Sequence, residues 1–257
     1  TRIAAFTQRL RDNYGQRFPD YWSLWRWSIA NKEYFWRELW DFCGIIGEAG
    51  ERTLVDGHLM PGAKWFPDAQ LNFAENLLQQ HRGDGDALVF WNEQGVRRRL
   101  SRDALRQDVA RAQQAPRDAG VQAGDRVASI LPNIPEAAIA MLGATSLGAT
   151  WSSSSPDFGV QGVLDRFTQI APKVLFAVNG YFYNGKFVDT RDKVRAIAAR
   201  LPGLERLVWV EYIADHPVET GAVGMAEVLW RKFLANTATE PSFERFPFDH
   251  PLVIVYS

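Results

Sequence analysis

The chain has 257 residues, a formal net charge of −1 and one cysteine. Near-neutrality excludes a general electrostatic attraction to nucleic acid or an anionic membrane. No apolar run approaches the ~20 residues of a membrane span, and the lone Cys43 excludes an internal disulfide and suits a reducing, cytoplasmic compartment.

Ile3, Phe6 and Leu10 open the chain at helical spacing, and Thr1 is not Met, so the sequence reads as beginning inside a longer protein. Trp22, Trp25, Trp36 and Trp40 cluster next. Base stacking on such aromatics needs accompanying positive charge, but Arg26, Lys32 and Arg37 are mixed with Glu33, Glu38 and Asp41. The pattern therefore predicts an amphipathic helix pair that clamps its apolar face onto the main domain. Asn31 is placed as the N-cap of a helix over Lys32–Phe42, with Trp36 or Phe35, Trp40 or Leu39, and Cys43 facing inward. Cys43, among Phe42, Ile45 and Ile46, reads as core. Phe73 and Leu77, with Leu71, predict a short helix that docks this leader.

Ala87–Asn92 and Val96–Leu100 predict a hairpin. Ser101 then caps a helix that ends near Gly120, with Asp103 suiting its first turn. Pro116 falls inside that helix, where it removes a backbone donor and should kink it. From Gly124 to Phe176 the elements follow with little slack: strand Arg126–Leu131, helix Glu136–Leu147, strand Ala149–Ser153, helix Gly159–Ile170 and strand Lys173–Val178. Buried strands alternating with helices predict an α/β fold, a parallel-sheet subdomain with helices on both faces, preceded by the helical, aromatic-rich amino-terminal leader. Beyond it come a helix over Thr190–Leu201, a strand over Arg206–Tyr212, a short helix over Ala226–Ala235, a loop over Asn236–His250 and a last strand over Leu252–Ser257.

His58, His81, His216 and His250 fall in separate loop-like segments, and no H-E-x-x-H or C-x-x-C spacing occurs, so no metal site is expected. Glu33 with Glu38, and Asp84 with Asp86, read as solvated surface. No G-x-S-x-G turn makes a nucleophile of Ser152–Ser155, and no G-x-G-x-x-G marks a dinucleotide fold. Gly180–Phe187 approaches the phosphate-loop pattern G-x-x-x-x-G-K-[ST]. Phe187, however, replaces the required hydroxyl, and Tyr181, Phe182 and Tyr183 would crowd a loop that must wrap phosphate, so it is rejected as an ATP site.

Several separated strings are more specific. Gly124–Val127, Pro132–Ala137 and the pair Gly148–Ala149 match recurring positions of acyl-CoA synthetases. Trp151–Phe167 (WSSSSPDFGVQGVLDRF), Pro61–Leu78, Asp20–Phe42 and Asp249–Ser257 match further segments. Together they resemble the acetoacetyl-CoA synthetase (acetoacetate–CoA ligase) branch of the adenylate-forming enzymes, from near the first residue to the last.

The resemblance implies part of a larger adenylate-forming fold. Residues 1–85 would be the helical leader of acetyl- and acetoacetyl-CoA synthetases, and 86–257 the first part of the AMP-binding (adenylation) domain, ending before the phosphate loop. It implies an ATP-dependent ligase that forms acetoacetyl-AMP and transfers the acyl group to CoA, with Mg²⁺ in the complete enzyme. The catalytic groups would lie beyond Ser257, so this piece alone should be inactive and bind no cofactor tightly. The partners implied are acetoacetate, ATP and CoA, with neither nucleic acid nor membrane; the oligomeric state is not legible. Ligases for acetate or propionate, and a non-catalytic truncated module, are the alternatives.

By the same resemblance, Tyr183, Asn184, Gly185 and Lys186 lie where relatives carry basic residues near the CoA 3′-phosphate, and Asp157 and Gly159 where they border the pantetheine tunnel. Only Lys186 is basic, and the double arginine of the acetyl-CoA branch is missing. Lys186 is either a point charge for phosphate or a solvated loop lysine. Asp157 has a sufficient structural role as cap of the following helix. Gly159 serves either close cofactor approach or a tight turn.

Overall fold

The computed structural model describes all residues except 80–82, 84, 94, 222–225 and 257, so the expectations for His81, Asp84 and Ser257 lie outside the described residues. The chain forms two compact units, residues 1–72 with 245–250, and residues 73–244 with 251–257. The leader expected at 1–85 shares residues 1–72 with the first unit; the following helix groups with the second.

In the first unit α1 (Arg2–Tyr14), α2 (Tyr21–Ala30) and α3 (Lys32–Cys43) precede four short strands, β1 (Gly47–Glu48), β2 (Leu54–Val55), β3 (Lys64–Trp65) and β4 (Gln70–Leu71). Asp20 and Ser23 form a reciprocal capping box at the start of α2. Asn31 occupies the N-cap position of α3 as expected, but its side chain makes no capping bond there; its amide donates to the Trp27 carbonyl (3.1 Å), closing α2 instead.

The small core of this unit contains Trp40, Phe66 and Ala69, with the Trp40 and Phe66 rings 4.9 Å apart. That cluster accommodates one indole from α3, so Trp36 stays 42% exposed, edge-on to Trp65, and only one of the two expected inward tryptophans is buried. Cys43 is exposed rather than core, because Gly44 takes a left-handed conformation and ends the helix there.

Glu38 corrects the surface reading of the acidic pair: it is buried. Arg9 donates to one carboxylate oxygen, and Asn13 (2.9 Å) and Tyr14 (3.1 Å) donate to the other. Three donors from α1 meeting one carboxylate from α3 explain how a charge survives burial.

The second unit begins with α4 (Phe73–Gln79), whose buried positions include Ala74 and Leu78, whereas Phe73 and Leu77 are exposed, the reverse of the expected face. The hairpin β5 (Asp86–Asn92) and β6 (Gly95–Ser101) leads to α5 (Arg102–Asp118), capped as expected by Ser101, which accepts from the Ala104 N–H (3.1 Å). Then come β7 (Arg126–Ile130), α6 (Pro135–Ser146), β8 (Thr150–Ser154), α7 (Val160–Ile170) and β9 (Val174–Val178). A second hairpin, β10 (Gly180–Tyr183) and β11 (Lys186–Asp189), precedes α8 (Arg191–Ala198) and β12 (Arg206–Val210).

Residues 226–235 are not a single helix. Ala226–Leu229 forms β13, parallel to β12, and Trp230–Phe233 adds one helical turn, α9, because the open edge of β12 offers backbone partners that a helix would forgo. Within the expected loop 236–250, β14 (Phe246–Pro247) pairs with β4 of the first unit, and the last strand is only β15 (Val253–Ile254).

β13-β12-β9-β7-β8-β15 is the strand order of one six-stranded sheet, and every pairing in it is parallel. Alternate residues face opposite sides. Ala128, Ile130, Leu175, Leu207 and Trp209 pack with α7 and α8, and Val127, Trp151, Phe176 and Val208 with α6 and α9. α5 lies against α6. It runs through Pro116 to Asp118. The carbonyl that Pro116 leaves without its usual donor is that of Ala112, and a Cβ at Gly143 of α6 would overlap that same carbonyl. The two helices approach closely where one lacks a donor and the other a side chain.

Burial raises the pKa of Glu38, but the hydrogen bonds from Arg9, Asn13 and Tyr14 and the charge of Arg9 outweigh it and hold the carboxyl below the ordinary glutamate value. A folded pKa below the unfolded one stabilises above the unfolded value of about 4.3, and that contribution disappears as pH falls through the folded value. Glu38→Gln should therefore cost about 1–3 kcal/mol at neutral pH. Urea denaturation of both proteins should show this gap narrowing in acid; a gap independent of pH would show that the charge is not what stabilises.

Candidate functional site

The sheet's connections leave β7 toward β8 on one side and β9 toward β12 on the other, so the carboxyl ends of the adjacent β7 and β9 mark a topological switch point. Open α/β sheets leave a ligand crevice at this place. Here a cleft of about 420 Å³ is lined by Phe90 and Trp91 of β5, Pro132 after β7, Tyr181 and Phe182 of β10, and Tyr212 after β12.

The hairpin β10–β11 rises from this edge on a buried polar base. Asn179, wholly buried, donates through its side-chain amide to the carbonyls of Ile213 and His216 (2.7 Å each) and accepts from the Ile213 N–H (3.1 Å). Thr190, also wholly buried, donates its hydroxyl to the Val178 carbonyl (2.5 Å), and its N–H to the Asn179 carbonyl (3.2 Å). Phe187 stacks on His216, ring centroids 4.0 Å apart.

Asn184 and Gly185 both have positive φ, 49° and 70°, the signature of a two-residue type I′ turn. Gly180–Phe187 is thus a hairpin rather than a phosphate loop. Its tip amides are already engaged: Glu93, in the turn between β5 and β6, accepts from the N–H groups of Asn184 and Gly185, 2.7 Å each. The segment does not fit the phosphates of ATP. Tyr183 and Lys186 are cross-strand partners closing the turn, and Tyr183, Asn184, Gly185 and Lys186 are all exposed. Among the described residues the lysine in ion pairs is Lys173, so the Lys186 ammonium has no carboxylate partner.

The loop after β8 carries the other two expected residues. Asp157 does not cap α7; Gly159 occupies the N-cap position, and no side chain caps the helix. Asp157 is exposed and faces Tyr181 and Lys193 electrostatically. Burial, then the nearby Asp157 carboxylate and Tyr183, raise the Tyr181 pKa. Lys193 of α8 donates to the Pro156 carbonyl; burial lowers its pKa, and Asp157 offsets part of that. Gly159 has an extended φ of −68°, and a Cβ there would meet nothing within 4 Å. Neither backbone strain nor packing requires glycine at 159, and the space beside it is open. No hydrogen bond or ion pair among the described residues joins Asp157 to Lys186. Both elements nevertheless emerge at the carboxyl edge of one sheet.

Further along the same edge the Arg166 guanidinium lies 4.9 Å from the Phe158 ring and 5.8 Å from the Tyr256 ring, and the Tyr256 hydroxyl donates to the Arg166 carbonyl (2.7 Å). Ser152 donates to the Ile254 carbonyl (2.9 Å), which ties β8 to β15 and accounts for its hydroxyl structurally. No group of three or more His, Cys, Asp or Glu side chains among the described residues is arranged to hold a metal, and no described helix is long and apolar enough to cross a membrane.

The sequence reading missed Glu93, Asn179 and Lys193. Glu93 sits in a predicted turn, where an acidic residue is unremarked. The Asn184–Gly185 pair, a strong hairpin signal, was hidden behind the apparent phosphate-loop spacing.

The model of the AMP-binding enzyme family matches residues 74–257. The chain belongs to that family. The acetyl-coenzyme A synthetase N-terminus model matches residues 21–77. Over 99% of its length the chain is 47% identical to an acetoacetyl-coenzyme A synthetase of Rhizobium meliloti, and over 100% it is 39% identical to an acetoacetyl-CoA synthetase of Macaca fascicularis. The solved acetoacetyl-CoA synthetase of Streptomyces lividans superposes on the whole chain with a TM-score of 0.91 at 37% identity. The chain spans 39% of the length of each of these proteins.

Removing the Asn179 side chain should leave the Ile213 N–H and two carbonyls without partners, a loss on the order of 3 kcal/mol in chemical denaturation of Asn179→Ala. Asn179→Asp should not rescue it, because a carboxylate would face the carbonyls of Ile213 and His216. Wild-type stability in both variants would show that the base of the hairpin is held by other contacts.

Proposed function

We propose that the chain is the amino-terminal part of an ATP-dependent acetoacetate–CoA ligase, with 1–85 as its leader and 86–257 as the first part of its adenylation domain. The observation that carries this is the superposition of the whole chain on a solved acetoacetyl-CoA synthetase at a TM-score of 0.91. In that reaction a carboxylate is activated as an acyl-AMP with release of pyrophosphate, and the CoA thiol then takes the acyl group. Mg²⁺ supplies charge neutralisation on the ATP phosphates when bound.

This chain's own contribution is the CoA entrance. Lys186, exposed and without a carboxylate partner among the described residues, would meet the 3′-phosphate of CoA as a point charge. The Asp157–Gly159 loop offers open space at Gly159 for the pantetheine arm. Tyr183, Asn184 and Gly185 shape the turn that carries Lys186. The partners would be small molecules, since a net charge of −1 offers no general attraction to nucleic acid or an anionic membrane, and the lone Cys43 suits a reducing, cytoplasmic setting.

The test uses the complete ligase. Its kcat/KM should be higher for acetoacetate than for acetate or propionate, and residues 1–257 alone should give only background acetoacetate-dependent pyrophosphate exchange. A preference for acetate would overturn the assignment to the acetoacetate branch, and substrate-dependent exchange by residues 1–257 would overturn the division of labour.

A further inference from the structure

We propose that Glu93 is a positioning residue for CoA: its carboxylate clamps the tip of the β10–β11 hairpin and thereby fixes the reach of Lys186. The inference rests on the reading of Lys186 as the contact to the CoA 3′-phosphate.

The two carboxylate oxygens of Glu93 each accept one backbone N–H, from Asn184 and from Gly185, both at 2.7 Å. Beyond the Tyr183–Lys186 pairing that closes it, the I′ turn is exposed, as are Tyr183, Asn184, Gly185 and Lys186. Bonds from ionised acceptors to amides are the stronger kind, and a bidentate pair fixes direction as well as distance. Lys186 follows the clamped Gly185 directly and pairs across the turn with Tyr183. Its own side chain is long and flexible, so the backbone is the part of its position that the protein controls.

The clamp also decides how phosphate is met. Successive turn amides form a natural anion nest, but here a carboxylate already occupies them. An incoming phosphate therefore meets the Lys186 ammonium and not the tip amides. Glu93 belongs to the turn between β5 and β6, and Phe90 and Trp91 of the same hairpin line the cleft against Tyr181 and Phe182. One contact thus joins the tips of two hairpins that share a cleft.

The experiment compares CoA with dephospho-CoA, which lacks the 3′-phosphate, in the complete ligase and its Lys186→Ala, Glu93→Ala and Glu93→Gln variants. Amide hydrogen exchange is followed at Asn184 and Gly185. Wild type should prefer CoA, and Lys186→Ala should lose that preference. Glu93→Ala should raise KM for CoA by about tenfold, leave KM for dephospho-CoA unaltered, and lose protection of both amides. Glu93→Gln, which keeps one carbonyl acceptor, should fall between. A purely structural role would move both cofactors together. If Lys186→Ala loses the preference while Glu93→Ala keeps it, the positioning role is overturned and the Lys186 contact stands. If Lys186→Ala keeps the preference, the Lys186 reading itself fails and the inference falls with it.

Discussion

A wholly buried amide, Asn179, sits at the carboxyl end of the central strand β9, and the candidate site depends on its being satisfied. Its three side-chain bonds tie β9 to the 213–216 segment that follows β12. Thr190, eleven residues on, returns the chain to the same point through Val178 and Asn179. Between these two residues the chain is free to leave the sheet as a hairpin and come back in register. Buried polar groups are costly when unpaired and specifying when paired, so this network sets where the hairpin stands while the apolar faces of β9 set only that the strand is buried.

The same logic extends across the edge of the sheet. Parallel strands deliver all their carboxyl ends to one side, so the loops after β7, β8, β9 and β12 meet there without any of them being close in sequence. Polar contacts fix several segments along this edge: Lys193 holds the Pro156 carbonyl after β8, Glu93 the hairpin tip after β9, Asn179 the 213–216 segment after β12, and Tyr256, after β15, the Arg166 carbonyl. Behind them, the close approach of α5 and α6 at Ala112 and Gly143 fills the second layer over the face that carries Val127 and Phe176.

Much of this was legible in the sequence because it is periodic. β7, α6, β8, α7 and β9 lie within a residue or so of their predicted spans, since continuous apolar runs bounded by Gly and Pro admit few other readings. The Ser101 cap was readable for the same local reason. The failures share a cause, which is that the deciding partner lies far along the chain. Glu38 reads as surface until Asn13 and Tyr14 are seen to reach it. Ala226–Leu229 has helical composition, but the free edge of β12 makes it a strand. Trp36 and Trp40 are equivalent by spacing, and only the size of the small core separates them. At the candidate site, Lys186 and Gly159 could be named from their strings, whereas Glu93 could not, because the turn it grips begins 91 residues away in chain order.

The central proposal is that the carboxyl edge of this sheet, through the Asp157–Gly159 loop and the hairpin tip at Lys186, would form the CoA-facing surface of an acetoacetate–CoA ligase. A crystal structure of the complete ligase with CoA tests it most directly. The account predicts a 3′-phosphate oxygen at about 2.7–2.9 Å from the Lys186 Nζ, with the pantetheine arm running past Gly159. A CoA whose phosphate lies away from the hairpin, with the Gly159 loop untouched, would contradict it.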